Sequence, residues 1–341
     1  MKKTVSYKTK TPVAMIIFNR YDNAHSVLEQ IRKVEPKELF IIADGPRENR
    51  PGEKEKCEKA RSICDEVDWK CKVHKIFSDV NLGCAKRVTS GLNEVFEKTE
   101  RALIFEDDCI PALSFFQFAD EMLETYETDE KIMLVSASNK CFDPSKKTSG
   151  VEKKDLPECD ASNTDTKEPD YFFSKQAQIW GWATWRRAWN KMDLTMSDWP
   201  QLKKNKLVEG IYKKASHRYY WNSAFDYVYN GHTNSWAFPW NLTVWRNGGF
   251  SIVPKVNLVR NAGFNADATH TSGKSIFETL DYSELEFPLK HPDVSLGIIR
   301  NEKMDLLEMK SRIKDAKQLP YPLNKYASKL KWGILKLLGK A

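Results

Sequence analysis

Residues 101–111 read RALIFEDDCIP, an apolar run that ends in three adjacent carboxylates, Glu106, Asp107 and Asp108. Like charges repel one another, and a buried carboxylate is costly unless it is paired or bound to a cation. The stretch therefore has two interpretations. It is either a strand that ends in a solvated acidic turn, or a divalent-metal site at the carboxyl end of a buried strand.

The sequence before and after this stretch alternates between strand and helix patterns. Predicted strands cover residues 11–18, 38–43, 72–77, 102–105 and 131–136, and predicted helices cover 24–34, 51–67, 85–98 and 114–127. Asp22 or Asn23 is the expected cap of the first helix. This order predicts an α/β fold, Rossmann-like, with a mixed, mostly parallel sheet flanked by helices on both faces.

Polar residues follow three of these strands directly. They are Asn19-Arg20, Asp44-Gly45 and the acidic triplet, so all three groups are expected at the carboxyl edge of the sheet, where ligands bind in such folds. The first strand is not followed by GxGxxG, and the chain contains no GxxxxGK[ST], which removes the usual phosphate cradles. A metal held by carboxylates is another way to neutralise a diphosphate.

The composition narrows the class of protein. The chain has 341 residues, a formal charge of +7 and seven cysteines without a CxxC pair. It has no apolar run of the roughly 18 residues that span a bilayer and no apolar signal-peptide region, so a cytoplasmic location is expected. Basic residues outside the C-terminus are interleaved with acids, which argues against nucleic acid as a partner.

The C-terminal residues 323–341 carry lysines but no acid, and their apolar residues recur at helical spacing. This pattern predicts a basic amphipathic helix that lies on an anionic membrane surface, the inner membrane face in a cytoplasmic protein. The alternative is a helix docked on its own domain.

The second half of the chain is rich in tryptophan. Nine of the eleven tryptophans lie between Trp180 and Trp245, after a polar segment at residues 138–170 that is predicted to be a long loop. Tryptophan stacks on sugar rings but also fills cores, and core packing accounts for most of the nine. Trp180, Gly181 and Trp182 are the first candidates for a saccharide contact. His270, near Asp267, is a candidate metal or phosphate contact.

With these residues placed, the chain resembles GT-A fold nucleotide-sugar glycosyltransferases, similar to N-acetylglucosaminyltransferase I and bacterial haemolysin-like nucleotide-diphospho-sugar transferases. The resemblance is carried by AMIIFNR (14–20), FIIADG (40–45), LIFEDDCIPALSFFQFA (103–119), IWGWATWRRAW (179–189) and the block at 235–271. It implies a donor-binding half at 1–137, the polar loop at 138–170, an acceptor-binding half of the same domain at 171–275 and a C-terminal helical extension at 276–341.

The resemblance also implies roles for single residues. Arg20 would face the donor diphosphate, Asp44 the base (uracil is favoured) and Asp107 the ribose. Asp108 would coordinate Mn²⁺ or Mg²⁺, with His270 as a further candidate ligand, and Glu106 would lie near the donor sugar. Trp180, Gly181 and Trp182 would contact a saccharide or lipid-linked acceptor.

An inverting transfer needs a general base, normally a carboxylate. Here the chain departs from the pattern, because Ser235-Trp236-Ala237-Phe238-Pro239-Trp240 contains no acid. Asp226 is the nearest candidate, and Asp193 and Asp198 compete with it. Two other functions stay open at this point. They are a sugar-1-phosphate nucleotidyltransferase, although FNRYDNAH lacks the usual glycines, and a membrane-binding or lytic protein that acts through its basic C-terminal helix.

Overall fold

A mixed eight-stranded sheet forms the centre of the protein in the computed structural model, which describes residues 7–141, 168–263, 277–278 and 280–315. Its strands are β1 (Val13–Ile17), β2 (Glu38–Ala43), β3 (Lys72–Phe77), β4 (Arg101–Glu106), β6 (Ile132–Ser136), β7 (Tyr171–Ser174), β8 (Trp182–Trp185) and β9 (Phe250–Pro254). They lie in the order β3-β2-β1-β4-β8-β6-β9-β7, and only β8 and β7 run antiparallel to their neighbours. A separate pair joins β5 (Cys109–Pro111) to β10 (Val259–Asn261).

Helices cover both faces of this sheet. They are α1 (Tyr21–Val34), α2 (Glu53–Arg61), α3 (Cys84–Lys98), α4 (Leu113–Thr125), α5 (Arg186–Trp189), α6 (Trp199–Lys204), α7 (Leu207–Ile211), α8 (Ala215–Tyr229), α9 (Ala237–Arg246) and α10 (Glu302–Asp315), with a 3₁₀ turn at Ser62–Glu66. One core holds the apolar sides of α1 and α4, and the opposite core holds those of α3, α8 and α9. The α/β prediction is confirmed at this level.

The alternation predicted for the first half is present, with small shifts at the element ends. The expected cap at Asp22 or Asn23 is wrong, because α1 begins at Tyr21 and no side chain caps it. The predicted helix over 51–67 is α2 followed by the 3₁₀ turn. β3 is the least apolar of the predicted strands because it lies at the sheet edge, where two of its six side chains are exposed and only Ile76 is buried.

Several predictions fall on residues that lie outside the described ones. They include most of the loop at 138–170, His270 and the basic segment 323–341. A helical extension was predicted from residue 276. Within its described part, residues 280–301 form no helix, and α10 follows them. In the part of the chain that the structure describes, no helix combines the length and the apolar character that a bilayer span requires.

The winding of the sheet reverses between β1 and β4. From β1 the chain moves outward through β2 to β3, and it then returns across α3 to place β4 on the other side of β1. β1 and β4 are parallel neighbours, and the crevice at their carboxyl ends is where open α/β sheets bind ligands. Arg20 and the acidic triplet therefore lie at the topological switch point.

Candidate functional site

Arg20 and the acidic triplet meet at the switch point. Arg20 Nε donates to Asp107 Oδ2 at 3.2 Å, its Nη2 also binds Asp107 Oδ1, and the same Nη2 lies 3.0 Å from Asp108 Oδ2. Asp107 is almost fully buried, whereas the Asp108 side chain keeps 16% of its exposure and the Arg20 side chain 24%. Arg20 therefore neutralises Asp107 below the surface, and Asp108 faces the crevice.

The carboxylates outnumber the cations at this edge. Glu106, the last residue of β4, is beside Asp107 and Asp108, and among the described residues Arg20 is the one cation that acts on all three. Burial, together with the negative charges of Asp108 and Asp107, raises the pKa of Glu106 well above its usual range. A buried excess of negative charge costs free energy that a bound cation would recover. The arrangement therefore favours the metal-site interpretation of the triplet over a solvated turn.

Asp44 anchors a turn on the neighbouring strand end. Its Oδ1 accepts the backbone N–H groups of Gly45 at 3.0 Å and Leu82 at 2.9 Å, and its Oδ2 accepts that of Gly83 at 2.9 Å. A carboxylate accepts about four hydrogen bonds, so roughly one position on Asp44 is left for a ligand. Asp44 therefore holds residues 82–83 at the crevice. A hydrogen bond from a nucleotide base would use its remaining acceptor position.

The second half of the chain closes the far side of the crevice. β10 pairs with β5 directly after the triplet, and Ala262 donates its backbone N–H to the Asp108 carbonyl at 2.7 Å. A Cβ on Gly263 would stand 2.2 Å from Asp108 Oδ2 and 3.0 Å from Asn261 Oδ1. Glycine at this position thus lets the partly exposed Asp108 carboxylate lie directly against the backbone, and Asn261 Oδ1 accepts the Gly263 N–H at 2.7 Å.

This pair of oxygen atoms suits a hard cation in part. Carboxylate and amide oxygens are the ligands that Mg²⁺ and Mn²⁺ prefer, and Asp108 and Asn261 supply one of each. Among the described residues, however, no three His, Cys, Asp or Glu side chains converge as a metal cage. The chain therefore offers a partial coordination shell, which fits a Mg²⁺-like ion that takes its other ligands from a bound phosphate and water.

We expect Gly263→Ala to weaken metal-dependent binding of a nucleoside diphosphate while the protein stays folded. The new methyl group displaces the Asp108 carboxylate, which Arg20 holds in place from the other side. Calorimetric titration with UDP and Mn²⁺ measures the effect, with Gly210→Ala as a matched control because a Cβ there meets no atom within 4 Å. Equal affinities of Gly263→Ala and the wild type would contradict a role for the Asp108 carboxylate, in its present position, in metal binding.

The tryptophans of the second half are mostly core residues, as their number suggested. Eight of the nine are buried, and Trp182 packs against Trp189, Trp236 and Trp240 with ring centroids 5.6–6.1 Å apart. With 1% of its surface exposed, Trp182 offers no face on which a sugar ring could stack. Gly181 adopts a φ of +61°, and a Cβ there would approach Phe105. Trp180 is partly exposed and lies under Lys140 and beside Phe277.

The candidate base Asp226 lies on α8 and is bound to α6. Its carboxylate accepts a hydrogen bond from Trp199 Nε1 at 3.0 Å and forms an ion pair with Lys203. Its competitors Asp193 and Asp198 both pair with Arg246. No hydrogen bond or ion pair among the described residues connects these three acids to the acidic triplet, and we infer that Asp226 holds α6 against α8.

We therefore expect Asp226→Asn to reduce the free energy of unfolding by only about 0–1 kcal/mol, as for other exposed ion pairs, because asparagine still accepts from Trp199. Nucleotide binding should not change. Urea unfolding and calorimetry measure the two quantities. A folded Asp226→Asn protein whose transfer rate falls by orders of magnitude would instead identify Asp226 as the general base.

The sequence analysis did not predict three residues that lie at the site, Cys84, Asn234 and Gly263. The Cys84 thiol is near enough to Glu106, Asp44 and Asp108 that their charges, after burial, raise its pKa to about 12. The turn Asn81-Leu82-Gly83 was a signal for Cys84, since it places a helix start just after a strand end. Nothing local in the sequence distinguishes Asn234 or Gly263, because their partners are more than a hundred residues away.

No protein-family model matches the chain, and no curated protein matches it. Among solved structures it is similar to "Mannosyltransferase PcManGT from Pyrobaculum calidifontis in complex with GDP-Man and Mn2+", with 15% identity, a TM-score of 0.28, and 40% of this chain and 37% of that chain covered. It is also similar to the inositol-1-phosphate CTP transferase from T. maritima, with 12% identity, a TM-score of 0.24, and 40% of this chain and 59% of that chain covered. Both alignments leave more than a third of the other chain uncovered, and scores this low assign neither fold nor activity.

Proposed function

We propose that the protein is a metal-dependent glycosyltransferase that takes a sugar from a nucleotide diphosphate. The observation that carries the proposal is the Arg20–Asp107–Asp108 cluster at the switch point between β1 and β4, where a partly exposed carboxylate and an arginine lie together beside the backbone of Gly263. An anionic ligand and a cation are both accommodated there, since the arginine supplies positive charge and the carboxylates supply negative charge.

Each residue of the cluster then has a separate task. Asp107, buried and bound through both oxygens, fixes the plane and direction of the Arg20 guanidinium. Arg20 presents its remaining N–H groups to diphosphate oxygens, for which the guanidinium geometry is suited. Asp108 and Asn261 would hold Mn²⁺ or Mg²⁺, which stabilises the charge that develops on the departing diphosphate. Asp44 and Glu106 would border the base and the sugar.

The finer assignments belong to the same proposal. A UDP-sugar is the favoured donor, and the acceptor is a saccharide or a lipid-linked glycan, with inversion at the anomeric carbon. Trp180 and Gly181 remain the acceptor candidates of the sequence, whereas burial removes Trp182 from that surface. The basic residues 323–341 would hold the enzyme at an anionic membrane, where a lipid-linked acceptor resides.

Calorimetry with UDP, GDP, CDP and dTDP, each with Mn²⁺ or with EDTA, tests the proposal. Metal-dependent binding of one nucleotide supports it and identifies the donor base. The matching nucleotide sugars are then incubated with the enzyme, and the product is analysed. Release of the nucleoside diphosphate indicates glycosyl transfer, whereas release of pyrophosphate from a nucleoside triphosphate would indicate nucleotidyl transfer. A folded protein that binds none of the four nucleotides would overturn the proposal.

A further inference from the structure

Helix α3 is capped by a residue from the other half of the chain. Gly83 occupies its N-cap position and has no side chain with which to satisfy the free N–H groups of the first turn. Instead, Ala85 donates its backbone N–H to Asn234 Oδ1 at 3.0 Å, across 149 residues of sequence. Asn234 lies in the loop between α8 and α9, which belongs to the tryptophan-rich half.

The contact is close enough to dictate the residue at position 83. Gly83 has a φ of +77°, in the left-handed region that favours glycine, and a Cβ there would stand 2.4 Å from Asn234 Nδ2. The Asn234 amide therefore packs directly on the Gly83 backbone while its oxygen accepts the hydrogen bond from Ala85.

Asp44 binds the same turn from the opposite side. Its carboxylate accepts the N–H groups of Leu82 and Gly83, so residues 82–85 are held between Asp44 of the sheet edge and Asn234 of the α8–α9 loop. Loss of Asn234 would leave the Ala85 N–H without this acceptor, and loss of the Asp44 carboxylate would do the same to the N–H groups of Leu82 and Gly83. The turn is thus positioned jointly by the two halves of the chain.

This turn borders the proposed donor site. Cys84, its third residue, lies close enough to Glu106, Asp44 and Asp108 to feel all three charges. The start of a 15-residue helix at this place directs its N–H groups and the positive end of its dipole toward the crevice. A small movement of the turn would shift the orientation of Asp44 and of the helix end together.

We propose that Asn234 is a positioning residue that fixes the Leu82–Ala85 turn against the donor site, so that the tryptophan-rich half influences donor binding through this amide. The effect of Asn234 on the turn is independent of the enzyme's substrate, whereas its effect on donor binding rests on the function proposed above. The effect on the turn and the effect on donor binding can be measured separately.

The first measurement is the rate at which N-ethylmaleimide modifies Cys84, resolved by mass spectrometry of the Cys84 peptide. In Asn234→Ala we expect this rate to rise about fivefold, the factor that corresponds to loss of a typical N-cap contact. Asn230→Ala is the matched control, since Asn230 lies in the same loop but donates to the Asp226 carbonyl and not to α3. Asn234→Asp keeps an oxygen acceptor for Ala85 and is expected to restore the wild-type rate.

The second measurement is the affinity of the same proteins for UDP, GDP, CDP and dTDP with Mn²⁺. We expect Asn234→Ala to bind the preferred nucleotide about fivefold more weakly, and Asn230→Ala to bind it as the wild type does. Wild-type Cys84 reactivity in a folded Asn234→Ala protein would overturn the positioning of the turn. Faster Cys84 modification with unchanged nucleotide affinity would overturn the control of donor binding. If the wild type binds no nucleotide, the proposed function fails, and the Cys84 rates still decide whether Asn234 positions the turn.

Discussion

Asp108→Asn is expected to abolish metal-dependent nucleotide binding in a protein that remains folded. Asp108 is the member of the triplet that faces the crevice, and it shares one Arg20 nitrogen with Asp107. Asparagine retains the shape of the side chain but loses the charge that a cation requires. Residues that merely support a metal ligand are typically worth 10- to 100-fold in affinity, so loss of the ligand itself should exceed about 100-fold. Arg20 keeps both bonds to Asp107, which preserves the fold.

The measurement is calorimetric titration of the preferred nucleotide with Mn²⁺, with circular dichroism as the check on folding. Asp22→Asn is the matched control, because it removes one exposed carboxylate from the first turn of α1, near the same edge, without touching the triplet. EDTA added to the wild type should reproduce the effect of Asp108→Asn. If Asp108→Asn binds like the wild type, or if the wild type binds equally well in EDTA, the carboxylates do not serve a cation.

The first half of the fold was predictable because its signals are local. β1, β2 and β4 are short apolar runs whose side chains are buried on both faces, and a polar residue follows each strand within two positions. The meeting of Arg20 with Asp107 and Asp108 follows from this pattern, since parallel neighbours bring their carboxyl ends to one edge. The contact between Arg20 and Asp107, which are 87 residues apart, was thus predictable from the sequence.

The second half was not predictable in the same way. β8 reads WATW and β10 reads VRN, strands of four and three residues whose pattern does not differ from that of a core loop. Tertiary contacts decide their pairing. β8 lies between β4 and β6, and β10 pairs with β5. Strand placement in this half, and with it the position of Gly263 beside Asp108, depends on contacts that no local window contains.

Trp182 shows how one residue type supports two interpretations. In the sequence, a tryptophan next to a glycine is a reasonable platform for a sugar ring. In the structure, Trp182 stacks on Trp236 at an angle of 24° between the rings, with Trp189 and Trp240 against its other sides. The glycine before it serves the backbone turn into β8 and the close approach of Phe105, which are requirements of packing.

We expect Trp182→Ala to reduce the free energy of unfolding by about 3–5 kcal/mol, the range found when a large buried aromatic side chain is truncated. The loss should be large because Trp182 lies on β8 in the middle of the sheet and joins three other tryptophan rings, so the neighbours cannot close the cavity without leaving their own contacts. The buried Trp182 Nε1 group has no hydrogen-bond partner among the described residues, so its removal relieves a desolvation cost and places the expected loss toward the lower end of this range.

Urea unfolding followed by tryptophan fluorescence and by circular dichroism measures the change. Trp182→Phe is the matched variant, since phenylalanine keeps most of the ring volume and should lose clearly less stability than alanine. The partly exposed Trp180 supplies the comparison on the acceptor side: Trp180→Ala should affect saccharide transfer more than stability, and Trp182→Ala should do the reverse. A side chain that contributes about 3–5 kcal/mol to folding through its neighbours cannot be removed without that cost. A Trp182→Ala protein with wild-type stability and weakened acceptor use would therefore show that the ring leaves the core to contact a sugar.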